Sequence, residues 1–176
     1  MKLFKRIGCF FDRMGHDIRL FNPKPSLIIG AVALCLGVLS WVMGGRGDKA
    51  LLVYIFPRSA FPLGAMYLLW ALSFVFVGIV IGGMLLGCEK YKRKEAIKAV
   101  IFLTMSLLFT LFIHPVFFKA MAPFIAFMLV LIALTLCLLA LLASARLYSL
   151  WTIMLGVHLL WLTYNLYILF CIALIN

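Results

Sequence analysis

Two histidines, His114 and His158, lie inside long apolar runs, where an imidazole is the side chain best suited to ligate a metal or a haem iron. The same runs hold a few hydrogen-bonding groups: Ser73, Ser106, Thr110, Thr135, Thr152, Thr163 and Asn165. Ser106 and Thr110 are four apart and share one face of a helix. Trp161, Thr163, Tyr164, Asn165 and Tyr167 cluster within seven positions. A mostly apolar wall with a few polar points is how small-molecule sites are composed. The plainer reading is that each hydroxyl bonds back to its own helix and each histidine bonds to a neighbouring one. No Walker A, GxSxG, HExxH or CxxC pattern occurs, and no nucleophile, base and orienting group come together, so an enzyme is not expected. The five cysteines, Cys9, Cys35, Cys88, Cys137 and Cys171, are odd in number and irregularly spaced. They read as small apolar filler, with neither a disulfide framework nor a zinc site.

The elements that carry these residues are five apolar blocks, 26–43, 61–87, 96–114, 120–143 and 148–175. Each approaches or exceeds the roughly 20 residues a helix needs to cross a bilayer. Inside lipid only a helix or a closed barrel satisfies the backbone, so each block is expected to be a transmembrane helix. Of 176 residues 67% are hydrophobic and 12% charged, too few charges to clothe a soluble domain. The expected fold is an all-α five-helix membrane bundle, residues 26–176, in a bacterial inner membrane or an equivalent one. No Asp, Glu, Lys or Arg falls in the middle of a span, which argues against ion-coupled transport.

Residues 1–25 form a basic N-terminal segment. Leu3, Phe4, Ile7, Phe10, Phe11, Met14, Ile18 and Phe21 recur at helical spacing, with the charged residues on the other face. That pattern predicts an amphipathic helix lying in the headgroup plane, with a partly disordered basic tail as the plainer alternative. No apolar core of a signal peptide follows Lys2, Lys5 and Arg6, so the first block is expected to be an uncleaved span.

The net charge of +11 is distributed around the spans, which points to lipid headgroups and not to nucleic acid. Placing the N-terminus inside puts 12 of the 16 Lys and Arg on the inner side, in 1–25, 88–98 and 144–147, and leaves 4 outside. The positive-inside rule therefore predicts N-terminus in and C-terminus out. His114 then sits at the outer end of span 3, and His158 about 15 Å above the start of span 5. At such different depths they would not share one metal. The 44–60 loop is both glycine-bearing and apolar, which suits either lying on the membrane surface or capping a cavity as a lid. In span 2, Gly78/Gly82 and Gly83/Gly87 form two small-xxx-small pairs. These serve either packing within one bundle or a homodimer face.

His114-Pro-Val-Phe-Phe118 resembles the W-S/T-P-x-F-F segment that ends helix 3 in the translocator protein family, also called tryptophan-rich sensory proteins. Leu160-Trp-Leu-Thr-Tyr164 is similar to the family's L-W-V-S-F in helix 5, and Asn176 falls where that helix ends in W-x-L-N. Pro57 and Phe61 resemble its P-x-x-W-x-F segment. The family's helix 2 Trp and Tyr appear here as Ala65 and Leu69, its helix 3 Gln and Asn as Ser106 and Thr110, and its helix 5 Asn as Leu169. No basic residue follows Arg146, so the proposed sterol motif of the family is missing. The resemblance implies a pocket between spans 1, 2, 3 and 5 beneath the first loop. Its ligand would be porphyrin-like (haem included), sterol-like or lipid-like. Phe61, Ala65, Leu69, Ser106, Thr110, Ile113, His114, Trp161, Tyr164, Asn165 and Ile168 would line it, with no resident cofactor. A non-catalytic scaffold built on helix packing is the alternative.

Overall fold

The computed structural model describes residues 15, 23–45, 48–86, 93–145 and 149–176. Residues 1–14 and 16–22, on which the expected N-terminal amphipathic helix rests, and Gly87 lie outside the described residues. Among the described residues six α-helices follow in chain order: α1 (Pro23–Gly44), α2 (Asp48–Val53), α3 (Leu63–Leu86), α4 (Arg93–His114), α5 (Pro123–Ser144) and α6 (Ser149–Ile175). A π-helical turn, Pro115–Lys119, extends α4. Among the described residues five helices are long and apolar enough to span a bilayer, the third running from Arg93 through Lys119. The protein is thus a multi-pass integral membrane protein.

Prolines and glycines set the helix ends. Pro23 begins α1 and Pro123 begins α5, positions where the missing N–H costs nothing. Gly45 adopts φ 77° just past α1, and its N–H bonds the Trp41 carbonyl at 3.0 Å. That left-handed closing turn suits glycine because it has no Cβ to clash. Two residues past the end of span 3, Met121 adopts φ 54°, which keeps the helix from continuing.

Around the bundle α1 packs on α3, α3 on α6, α6 on α5, α5 on α4 and α4 back on α1, while α3 also touches α4. The α1–α3 seam depends on absent side chains. A Cβ on Gly78 would sit 2.7 Å from the Ala33 Cβ and 2.8 Å from the Gly30 Cα, and one on Gly82 would sit 2.7 Å from the Ser26 Cα. Gly83 instead accommodates the indole of Trp151 on α6. These three glycines are therefore occupied within the chain and do not offer an open face to a second copy.

Pro115 leaves a second mark. It has no N–H to give the carbonyl of Leu111, four residues back. The Ser40 hydroxyl of α1 donates to that carbonyl at 2.6 Å. One residue on, the backbone shifts to π register, with the Ala120 N–H bonding Pro115 O at 3.0 Å. Other hydroxyls behave as the plain reading expects. Thr104, Thr110, Thr135 and Thr163 each donate to the carbonyl four residues earlier.

Gly78→Leu should drive α1 off α3. Overpacking of this kind costs about 1–3 kcal/mol, and here the obstruction is backbone, so the upper end is expected. The check is the thermal melting midpoint and particle size in detergent. A lower midpoint at unchanged size fits intrachain packing; a smaller particle at unchanged midpoint would mean the glycines join two copies.

Candidate functional site

A cavity of about 40 Å³ lies beneath the loop that joins α2 to α3. Tyr67 and Trp70 of α3, His114 of α4, Phe117 and Phe118 of the π turn and Phe56 of the loop supply its aromatic wall. Met66, Ile113, Asn165, Ile168, Leu169 and Ile172 complete the lining. No residue of α1 contributes.

The rings are fitted to one another around His114. Trp70 meets its imidazole edge-on at 4.2 Å between centroids, and Phe118 stacks on it at 5.3 Å. Tyr67 lies 5.7 Å away, and Phe117 meets Phe118 edge-on at 4.7 Å. Such pairs contribute about 0.5–1.5 kcal/mol each beyond their burial. The π turn presents Phe117 and Phe118 to the cavity, since both are buried one turn beyond Pro115.

The loop is fastened from outside. The Phe61 N–H donates to the Tyr164 hydroxyl at 2.8 Å, and that hydroxyl donates to the Ser59 carbonyl at 3.2 Å. Asn176 brackets the Ile55 backbone, accepting from its N–H at 2.8 Å and donating to its carbonyl at 3.3 Å. Tyr54 donates to the Met121 carbonyl at 2.7 Å, and Ser59 to Tyr167 at 3.3 Å. The segment 54–62 is thereby sewn to α6 and to the end of span 3.

Among the described residues four buried side-chain nitrogens have no hydrogen-bond partner: Trp70 Nε1, His114 Nδ1, His158 Nδ1 and Trp161 Nε1. They sort into two pairs. Trp70 and His114 line the cavity beneath the loop. His158 and Trp161 line a second cavity of about 100 Å³ between α3 and α6, with Leu69, Leu72, Ser73, Phe76 and Val157. Buried polar atoms are nearly always partnered, so two coincidences of this kind mark the two cavities.

Of the residues expected at a site, Ile113, His114, Asn165 and Ile168 come together in the loop cavity. Leu69 and Trp161 face the second cavity. Ser106 is turned toward α5, where it donates to the Ala133 carbonyl at 2.7 Å, and Thr110 bonds back to Ser106. Tyr164 and Phe61 meet with tilted rings at 4.9 Å and belong to the loop fastening. Ala65 is half-buried on α3 and lines neither cavity. The two histidines serve different cavities, and among the described residues no group of three His, Cys, Asp or Glu side chains gathers to hold a metal. Nothing in the sequence alone marks Phe56, Tyr67 or Trp70 as site residues. Trp70 lies four residues before Phe74 in a run whose one polar residue there is Ser73, and only its indole N–H distinguishes it from core.

Comparison of the chain with family models, curated proteins and solved structures finds no match.

Tyr164→Phe keeps the ring contact with Phe61 but removes both loop hydrogen bonds, about 1 kcal/mol apiece. Amide exchange in 54–62 should then quicken several-fold while exchange in α5 stays unchanged. Equal exchange in both proteins would show that Tyr164 does not hold the loop.

Proposed function

We propose that the protein binds a hydrophobic or amphipathic small molecule of the porphyrin, sterol or lipid kind within its helix bundle, in the cavity beneath 54–62. It acts as a binding or translocating membrane protein with its N-terminus inside, and not as an enzyme. The observation that carries this reading is the aromatic box around His114, with two buried nitrogens left to a guest. Trp70 Nε1 donates, and the imidazole nitrogen either donates or accepts according to tautomer. A ligand with an apolar body and one oxygen or ring nitrogen satisfies both. The resemblance of His114–Phe118 and of Leu160–Tyr164 to translocator segments supports the same ligand classes.

Size determines how the ligand enters. Pockets for drug-sized molecules span about 300–1,000 Å³, far above the 40 Å³ present with the loop fastened. Lifting 54–62 is therefore part of binding, and the six hydrogen bonds named above set its cost. The small closed volume also favours the second reading, a non-catalytic scaffold acting through helix packing.

Protoporphyrin titration of the full chain in lipid nanodiscs separates the two. Saturable quenching is expected, weakened at least fivefold by Trp70→Leu. Saturation should be reached faster with Tyr164→Phe, whose loop opens more readily. Absence of saturable binding for porphyrin, sterol and fatty acyl probes alike would leave the scaffold.

A further inference from the structure

The second cavity differs from the first in place and in surroundings. It opens between α3 and α6 toward the lipid side, where Leu72, Phe76 and Val157 are exposed. His158 behind them is only 4% exposed, and its Nδ1 has no partner; neither has the Trp161 indole one turn on. The Ser73 hydroxyl already donates to the Trp70 carbonyl and retains only its accepting lone pairs. An indole N–H can only donate, so whatever completes this site must bring an acceptor.

Depth narrows the occupant. At about 1.5 Å per residue, His158 and Trp161 lie about 14–18 Å along a helix about 39 Å long, close to its middle. On α3 the lining residues fall in the middle of the helix as well. The bilayer core is about 30 Å thick, so phospholipid ester oxygens and an interfacial sterol hydroxyl stay about 15 Å away. The acceptor must ride on a molecule that carries its polar atoms into the bilayer interior.

We propose that this groove binds a lipid-soluble ring carbonyl, a quinone of the long-tailed isoprenoid type. The ring enters from the lipid side between Phe76 and Trp161, aromatic faces that suit a flat guest. One carbonyl accepts from the Trp161 N–H and meets the His158 nitrogen, while the tail remains among lipid chains. The proposal concerns binding alone and is independent of the reading of the loop cavity.

The test uses the full chain in phosphatidylcholine nanodiscs and decylbenzoquinone as probe, followed by tryptophan quenching corrected for partitioning. Saturable binding is expected, weakened at least tenfold by His158→Phe and by Trp161→Phe and unchanged by Trp70→Phe. Both groove variants replace an unpartnered polar atom by an apolar ring, so the melting midpoint should hold. The proposal is overturned by unsaturable quenching, by unaltered affinity in both groove variants, by equal binding of decylbenzene, or by displacement with cholesterol.

Discussion

Lipid offers no hydrogen bonds, and this single constraint organises the molecule. Each span closes its backbone upon itself as helix, and isolated threonines return their hydroxyls to their own turn. Where a proline breaks that closure, a neighbour repairs it. Pro115 frees the Leu111 carbonyl, and Ser40 reaches across from α1 to take it. Because apolar surface gains nothing by leaving lipid for another helix, close backbone approach must hold the bundle. The contacts of Gly78 and Gly82 with Gly30, Ala33 and Ser26 provide it.

Against so complete an accounting, the four unpartnered nitrogens carry weight. Each represents a cost of about 1–3 kcal/mol if it stays unpaired. That they fall in two pairs, each pair lining one cavity, connects the packing of the bundle to its use. The π turn belongs to the same logic. The proline that costs α4 a hydrogen bond also brings Phe117 and Phe118 against His114.

The spans were legible in the sequence because a run of apolar residues in a thirty-ångström slab has one satisfactory backbone. Their ends moved by a few residues, chiefly where Pro23, Pro123 and the π turn reset them. The site was less legible. Ser106 and Thr110 look like pocket residues on spacing alone, yet spacing does not say which neighbour a face meets, and α5 claimed Ser106. Trp70 and Tyr67 carry no signal within their apolar run, because a box of rings forms only when α3, α4 and the loop converge. Tyr164 and Asn165 are adjacent but point apart, one fastening the loop and the other lining the cavity.

The central claim is that the paired buried nitrogens are ligand-binding groups. The four tryptophans, Trp41, Trp70, Trp151 and Trp161, give four indole N–H signals to observe by ¹⁵N–¹H correlation spectroscopy in nanodiscs. Addition of protoporphyrin should move the Trp70 signal downfield, and addition of decylbenzoquinone the Trp161 signal, with Trp151 unmoved by either. Signals of Trp70 and Trp161 that stay fixed at saturating concentrations of both probes would contradict the account.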